Sequence, residues 1–221
     1  MINKLAKKPS STAPRPRRTN KERSATTRSK LIDAAIEILY RLGYSACTTI
    51  EVAKKARVSR GAMLHQFPTR VDMLLAVARH IAEVNSRFRR EQLGTEPGLQ
   101  RFNASADVNW NLHSQPSAIA LLEIIMATRS DRALGKGSAP FAKMWTEGRQ
   151  RAANRMAADL NVSNVAELET MVMLHQAALR GLAIELMLTR DVEGVERARQ
   201  MLVNNDRLFS ERLMSEAKNS R

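Results

Sequence analysis

The side chains able to do chemistry in this 221-residue chain are unevenly placed. Four histidines, His65, His80, His113 and His175, lie far apart, and Cys47 is the single cysteine. There is no GxxxxGKS/T, GxGxxG, HExxH or CxxC run. No metal ligand set, cofactor cradle or nucleophile–base pair is therefore expected, and the chain reads as a non-enzyme. What is concentrated is positive charge. Lys and Arg number 36 against 22 Asp and Glu, a formal net charge of +14. Residues 1–30 hold ten of the basic residues and one acid, Glu22, for a net +9; the rest of the chain carries +5. A basic tail suits a polyanion such as DNA, although the same composition also serves a merely solvated tail.

The stretch Thr48–Leu75 offers side chains suited to reading such a polyanion. Thr48 and Glu51 have capping-box spacing, so a short helix should begin at Thr49, with Ile50, Val52, Ala53 and Ala56 as its apolar face. Arg57-Val58-Ser59 interrupts it, and Ser59 can cap a second short helix, Arg60 to Phe67. Met63 and Phe67, four apart, should face inward and leave Arg60, Gly61, Ala62, His65 and Gln66 outside. Pro68 stops the helix and Thr69 can cap the next. Two short helices joined by a tight turn let the second lie in a DNA major groove.

With those residues in place, the run from Gly43 to Leu75 resembles the TetR family of transcriptional repressors. The matching positions are Gly43-Tyr44, Thr48, Val52-Ala53, Ala56-Arg57-Val58-Ser59, Gly61, Met63-Leu64, Phe67, Arg70 and Leu74. Arg57 replaces the family's turn glycine, a left-handed position where a side chain costs about 1 kcal/mol. Leu64 replaces a tyrosine that usually contacts phosphate, and Arg70 a lysine, which adds a planar fork for phosphate. Taking the matched positions, the exposed side of the second short helix and Arg28 in the first turn of the preceding helix, the DNA-binding candidates are Arg28, Thr48, Thr49, Ser59, Arg60, Gly61, Ala62, Leu64, His65, Gln66 and Arg70.

Elements that must position these residues are helical throughout. Leu, Ala, Met and Arg are abundant, aromatic content is 4%, and no sustained alternating run suggests a strand. The fold expected is all-α, with about nine helices: an N-terminal three-helix helix-turn-helix domain, then a C-terminal helical ligand-binding and dimerisation domain. Residues 1–25 read as a disordered basic arm, with Pro-Arg-Pro-Arg-Arg at 14–18 suited to a minor groove. Residues 26–72 read as the DNA-binding domain and 73–221 as the second domain.

The first helix should run from Thr26 to Leu42, ended by Gly43; Leu31, Ile38, Leu39, Val52, Val58, Phe67 and Leu74 are the expected small-domain core. A long helix from Thr69 to Leu93 should bury Met73, Leu74, Val77, Ile81, Val84 and Phe88. Helices are expected at Leu99–Leu112, Pro116–Ser130 (apolar nearly all round, hence central), Phe141–Leu160, Val165–Thr189 and Val192–Ala217, with Leu134–Ala139 a flexible turn. Gly181, mid-helix, suggests close approach by another helix. Cys47 fits a small buried filler better than a redox sensor. No apolar run approaches ~20 residues, so no membrane span is expected, and with no signal peptide the location expected is cytoplasmic.

The resemblance implies that the last two helices pair with their copies in a homodimer; by sequence alone they serve equally as intrachain core. It also implies a ligand pocket among the middle helices, with Phe102, Trp110, His113, Glu123, Met126, Met144, Trp145, Met171, His175 and Leu179 as candidates. Glu123 is expected either to meet a ligand or to pair with Arg129 or Arg180. The function expected is a homodimeric repressor released from a palindromic operator in double-stranded DNA by a small apolar or amphipathic ligand. The alternative is a ligand-independent regulator or activator of the same fold.

Overall fold

The computed structural model describes residues 19–219. Ten helices follow one another there: α1 Asn20–Ala46, α2 Thr49–Ala56, α3 Arg60–Gln66, α4 Arg70–Leu93, α5 Leu99–His113, α6 Pro116–Ala127, α7 Arg132–Gly137, α8 Ala139–Leu160, α9 Val165–Thr189 and α10 Val192–Asn219. No strand occurs among the described residues. The all-α expectation holds.

Helix α1 starts earlier than its apolar stripe suggests. The Thr19 hydroxyl accepts the Glu22 N–H (3.2 Å), and the Glu22 carboxylate accepts the Thr19 N–H (2.8 Å), closing a capping box. Residues 20–25, expected in the arm, are thus helical, while the remainder of the arm, residues 1–18 with the 14–18 run, lies outside the described residues. Gly43, at φ 78° and ψ 179°, ends the regular helix as expected.

Thr48 caps α2 by accepting the Glu51 N–H at 3.2 Å. The reciprocal half of the expected capping box is missing because the Thr48 N–H already donates to the Ala46 carbonyl, at 2.9 Å. Arg57 takes the left-handed conformation (φ 54°) that the resemblance reserves for glycine, and its N–H closes on the Ala53 and Lys54 carbonyls. The Ser59 hydroxyl accepts the Ala62 N–H at 3.2 Å to start α3, and Thr69 with Asp72 forms a complete capping box for α4.

One apolar core runs from α1–α3 through the N-terminal half of α4 into α6 and α7. Leu31, Ile38, Leu39, Val52, Phe67, Met73 and Leu74 are buried in it, as are Ala120, Leu121 and Ile124 of α6. Val58 is only half-buried. Val84 is exposed and Phe88 half-buried, so the buried stripe of α4 stops near Ile81, short of its predicted length. A second core joins Phe102, Ala153, Ala157, Leu160, Leu168, Met171 and Leu213 at the far end.

The Leu134–Ala139 stretch is not the flexible turn its glycines suggest. Asp131 caps α7 by accepting the Leu134 N–H at 2.9 Å, and Leu134 is fully buried. A Cβ at Gly135 would lie 2.7 Å from the Thr128 carbonyl oxygen, so that glycine permits close packing. Helix α9 also amends the sequence reading: by length and composition it is apolar enough to cross a membrane. Here it packs against α8 and α10, and its second apolar stripe faces outward.

Candidate functional site

Helix α3 stands out from the small domain with Met63 and Phe67 as its anchors, each 1% exposed. Arg60, Gly61, Leu64 and His65 are exposed on its outer side, while Ala62 and Gln66 are half-buried. Nothing lies within 4 Å of a Cβ built at Gly61, so packing inside this chain does not demand a glycine there. The hydroxyls of Thr48 and Ser59 are committed as caps, and Thr49 is half-buried in the first turn of α2.

Two candidates act as supports. The Gln66 amide donates to Ser24 Oγ at 2.7 Å. Arg28 donates to the Gln66 carbonyl at 3.3 Å, and its guanidinium lies 4.5 Å from the Phe67 ring centroid. The early turns of α1 thereby fix the end of α3.

Arg70 corrects the sequence reading. Its Nε donates to the Cys47 carbonyl (2.9 Å) and its Nη2 to the Tyr44 carbonyl (2.5 Å), while the guanidinium stacks 4.0 Å from the Tyr44 ring. A fork expected for phosphate closes the α1–α2 junction. Sequence reasoning left out Lys54 and Arg57, both exposed beside α3; their signal was position, flanking the turn that presents it.

Glu123 pairs with neither of the expected arginines, Arg129 or Arg180. Its Oε2 accepts the Tyr44 N–H at 2.8 Å and lies 3.5 Å from where a Gly43 Cβ would be. The Tyr44 hydroxyl donates to Asp131 at 2.6 Å. Burial, and then that hydrogen bond, push the Tyr44 phenol up to about 12. Tyr44 therefore ties the end of α1 to α4, α6 and the cap of α7. Cys47 is fully buried, and burial pushes its thiol up to about 11, which fits a filler.

The ligand candidates separate. Phe102 and Met171 belong to the second core, and Met126 is 57% exposed, so these three do not line a common space. Trp110 and Met144 are half-buried. His113, Trp145, His175 and Leu179 do surround one region, with Arg180, which the sequence reading had offered only as a partner for Glu123. The Arg180 guanidinium lies 5.7 Å from the Trp145 ring centroid. His175 is 7% exposed, and its Nδ1 bonds the Asp206 carboxylate of α10. Burial pulls His113 down to about 4; a bond to the Asn109 carbonyl opposes this, and Arg180, Arg89 and His175 add to it. His175 Nε2 and Arg180 Nη1 are buried without a hydrogen-bond partner among the described residues. A recess of about 600 Å³ lies elsewhere, lined by Ala157, Asn161, Val162, Leu213 and Ala217 among others, and no expected ligand residue lines it.

The chain is similar to known proteins over most of its length. Residues 31–77 match the family model for bacterial regulatory proteins, tetR family. The chain is 29% identical over 187 residues to the HTH-type transcriptional regulator CymR of Pseudomonas putida, covering 83% of this chain and 90% of that protein. The fold matches a putative transcriptional regulator from Pseudomonas aeruginosa PAO1 at 18% identity, with a TM-score of 0.67 over 87% of this chain and 94% of that one. It also matches the multidrug binding protein EbrR, solved in complex with malachite green, at 23% identity and a TM-score of 0.57, over 80% of this chain and 96% of that one. Residues 31–77 thus carry a DNA-binding domain of the tetR type, and over most of its length the chain is similar to an HTH-type transcriptional regulator.

Proposed function

We propose that this regulator is a homodimeric repressor that occupies a palindromic operator through α3 of each protomer and leaves it when a small molecule enters the helical domain. The DNA-binding unit extends through residue 72, with α1 beginning at Asn20, and residues 73–221 form the ligand and dimer unit. The protein acts in the cytoplasm, where the operator is.

The observation that carries the reading is the outer face of α3. Arg60 sits in its first turn, the part of a recognition helix that meets base edges, and Gly61 beside it lets a partner's surface come close. A second observation supports the dimer. Met173, Ala177, Gly181, Ile184 and Leu188 recur at spacings of four and three on α9, all exposed, and Met201 and Leu208 are exposed seven apart on α10. Apolar stripes opposite the faces already packed in the core suit a bundle with a second copy. A Cβ built at Gly181 would meet nothing within 4 Å among the described residues, so the close approach read from the sequence falls to a partner helix. Ligand release is supported by the complex of EbrR with malachite green in the same fold.

Arg60→Ala tests the site. Its operator affinity, titrated by gel shift, is expected to fall by about 1–3 kcal/mol with the dimer intact. Unchanged affinity sinks the assignment.

A further inference from the structure

We infer that the basic cluster between α4, α5, α8 and α9, buried at His175 and half-buried at Arg89, His113 and Arg180, receives the carboxylate of an otherwise apolar ligand. This rests on the reading of the helical domain as a ligand-binding unit and names the chemistry it selects. Arg89 of α4, His113 of α5 and His175 with Arg180 of α9 converge there, beside the Trp145 ring of α8.

Two atoms demand an occupant. A buried guanidinium N–H without an acceptor is rare in folded proteins, because nothing replaces the water it has lost. Arg180 Nη1 is such an atom, and His175 Nε2 is a second in the same region, on a side chain more than nine-tenths buried. In Arg180 the unpaired nitrogen belongs to a planar fork whose geometry matches a carboxylate. The Nδ1 of His175 is engaged by the Asp206 carboxylate, which leaves Nε2 as the ring atom available to a ligand.

The surroundings set the sign of the ligand's charge. Burial lowers the Arg89 and Arg180 guanidinium groups, and no carboxylate offsets this at either. Arg155 adds to the lowering at Arg89. Asp206, an acid beside the cluster, is already engaged by His175 Nδ1. His113 is held neutral by burial and by the same cations. An anion entering here gains attraction from Arg180 and Arg89, whereas an organic cation is repelled. The Trp145 ring, 5.7 Å from the Arg180 guanidinium, provides an apolar wall, so the remainder of the ligand is apolar.

The test uses the full chain and matched probes: 1-naphthoate and decanoate, their primary amides, and naphthyl and decyl trimethylammonium ions, with binding read by calorimetry and tryptophan emission. At least one carboxylate is expected to bind, its amide roughly thirtyfold more weakly, in line with loss of hydrogen bonds to a charged group. The ammonium ions are expected not to bind. Arg180→Met, checked for native circular dichroism, should erase the preference for acid over amide and raise the melting temperature of the ligand-free protein, since it removes an unpartnered buried charge. His175→Gln is the second variant and should weaken the acid while sparing the amide. Equal affinity for acid and amide, tighter binding of the ammonium ions, failure of both acids to bind, or an acid preference that survives in both variants overturns the inference. Operator affinity measured in parallel separates it from the regulatory reading. An acid that binds without weakening operator binding leaves the anion site standing and removes its role in release. An amide that releases the operator better than its acid does the reverse.

Discussion

His113 shows how one side chain can register the character of its surroundings. Its Nδ1 lies 2.8 Å from the Asn109 carbonyl, and burial followed by nearby cations holds the ring neutral down to about pH 4. Above the ordinary imidazole value the folded and unfolded chains are both neutral, and His113 adds no pH dependence. Below it the unfolded chain takes up a proton that the folded chain declines, so stability falls as the pH drops toward 4. Between about pH 7 and about pH 5 this amounts to roughly 2 kcal/mol. Urea unfolding at the two pH values should show the wild type losing about that much more than His113→Asn, whose amide can keep the Asn109 contact. Equal losses in the two proteins would mean that the ring is solvated. The histidine's place in the sequence carried part of this, since it closes a middle helix beside Trp110 and Leu112. The arginines that act on it come from α4 and α9, and no spacing along the chain brings them together.

At the scale of elements, the helices were legible and the joints were not. Apolar residues at three and four spacings, with Thr69, Ser59 and Gly43 as punctuation, give α1 to α4 nearly as found, because local geometry dictates them. Helix α7 was hidden because two glycines in six residues look like a turn, and the contact that needs Gly135 small, the Thr128 carbonyl, is a tertiary one. The contacts of Glu123 and Arg70 were hidden for a related reason: their partners are backbone groups, which the sequence does not distinguish by residue type. Together with Tyr44 they make a polar joint where α1, α4, α6 and α7 meet. The phenol O–H donated to Asp131 is the part of this joint that can be deleted without changing packing volume much. Tyr44→Phe should destabilise the protein by about 1–2 kcal/mol, as expected for a half-buried bond to a charged acceptor. The same variant should loosen coupling between ligand and operator, because it removes a tie between α7 and the end of α1. Urea midpoints check the first effect, and operator affinity with and without ligand the second. A variant as stable as the wild type would show that the hydroxyl is equally satisfied by water.

The whole molecule turns on whether the outward stripes of α9 and α10 meet their own copies. In one chain Leu188 is 76% exposed, Met201 67% and Leu208 58%, an apolar surface that a monomer has no reason to present in such regular order. Hydrophobic periodicity revealed both helices but left open whether their second faces turn to core or to a partner, because apolar residues mark burial of either kind. Gly181 separates the two cases. It is exposed, a Cβ built there would meet nothing within 4 Å beyond its own helix backbone, and it lies at the middle of the α9 stripe. Gly181→Lys should therefore leave the protomer folded, and even gain about 0.5–1 kcal/mol in helix propensity, since a mid-helix glycine is unfavourable. In a dimer the same side chain forces two helices apart at their closest approach and places like charges face to face across the axis. Sedimentation should show a folded monomer in place of a dimer. Operator binding should fall by about two to four orders of magnitude, because the second α3 is no longer delivered to its half-site by the first. Ala177→Glu, one turn earlier on the same stripe, should reproduce both effects with the opposite charge, which excludes a simple electrostatic cause at the DNA. If both variants remain dimers of native affinity, the α9 stripe is not the interface, and the two recognition helices must be held together by another surface.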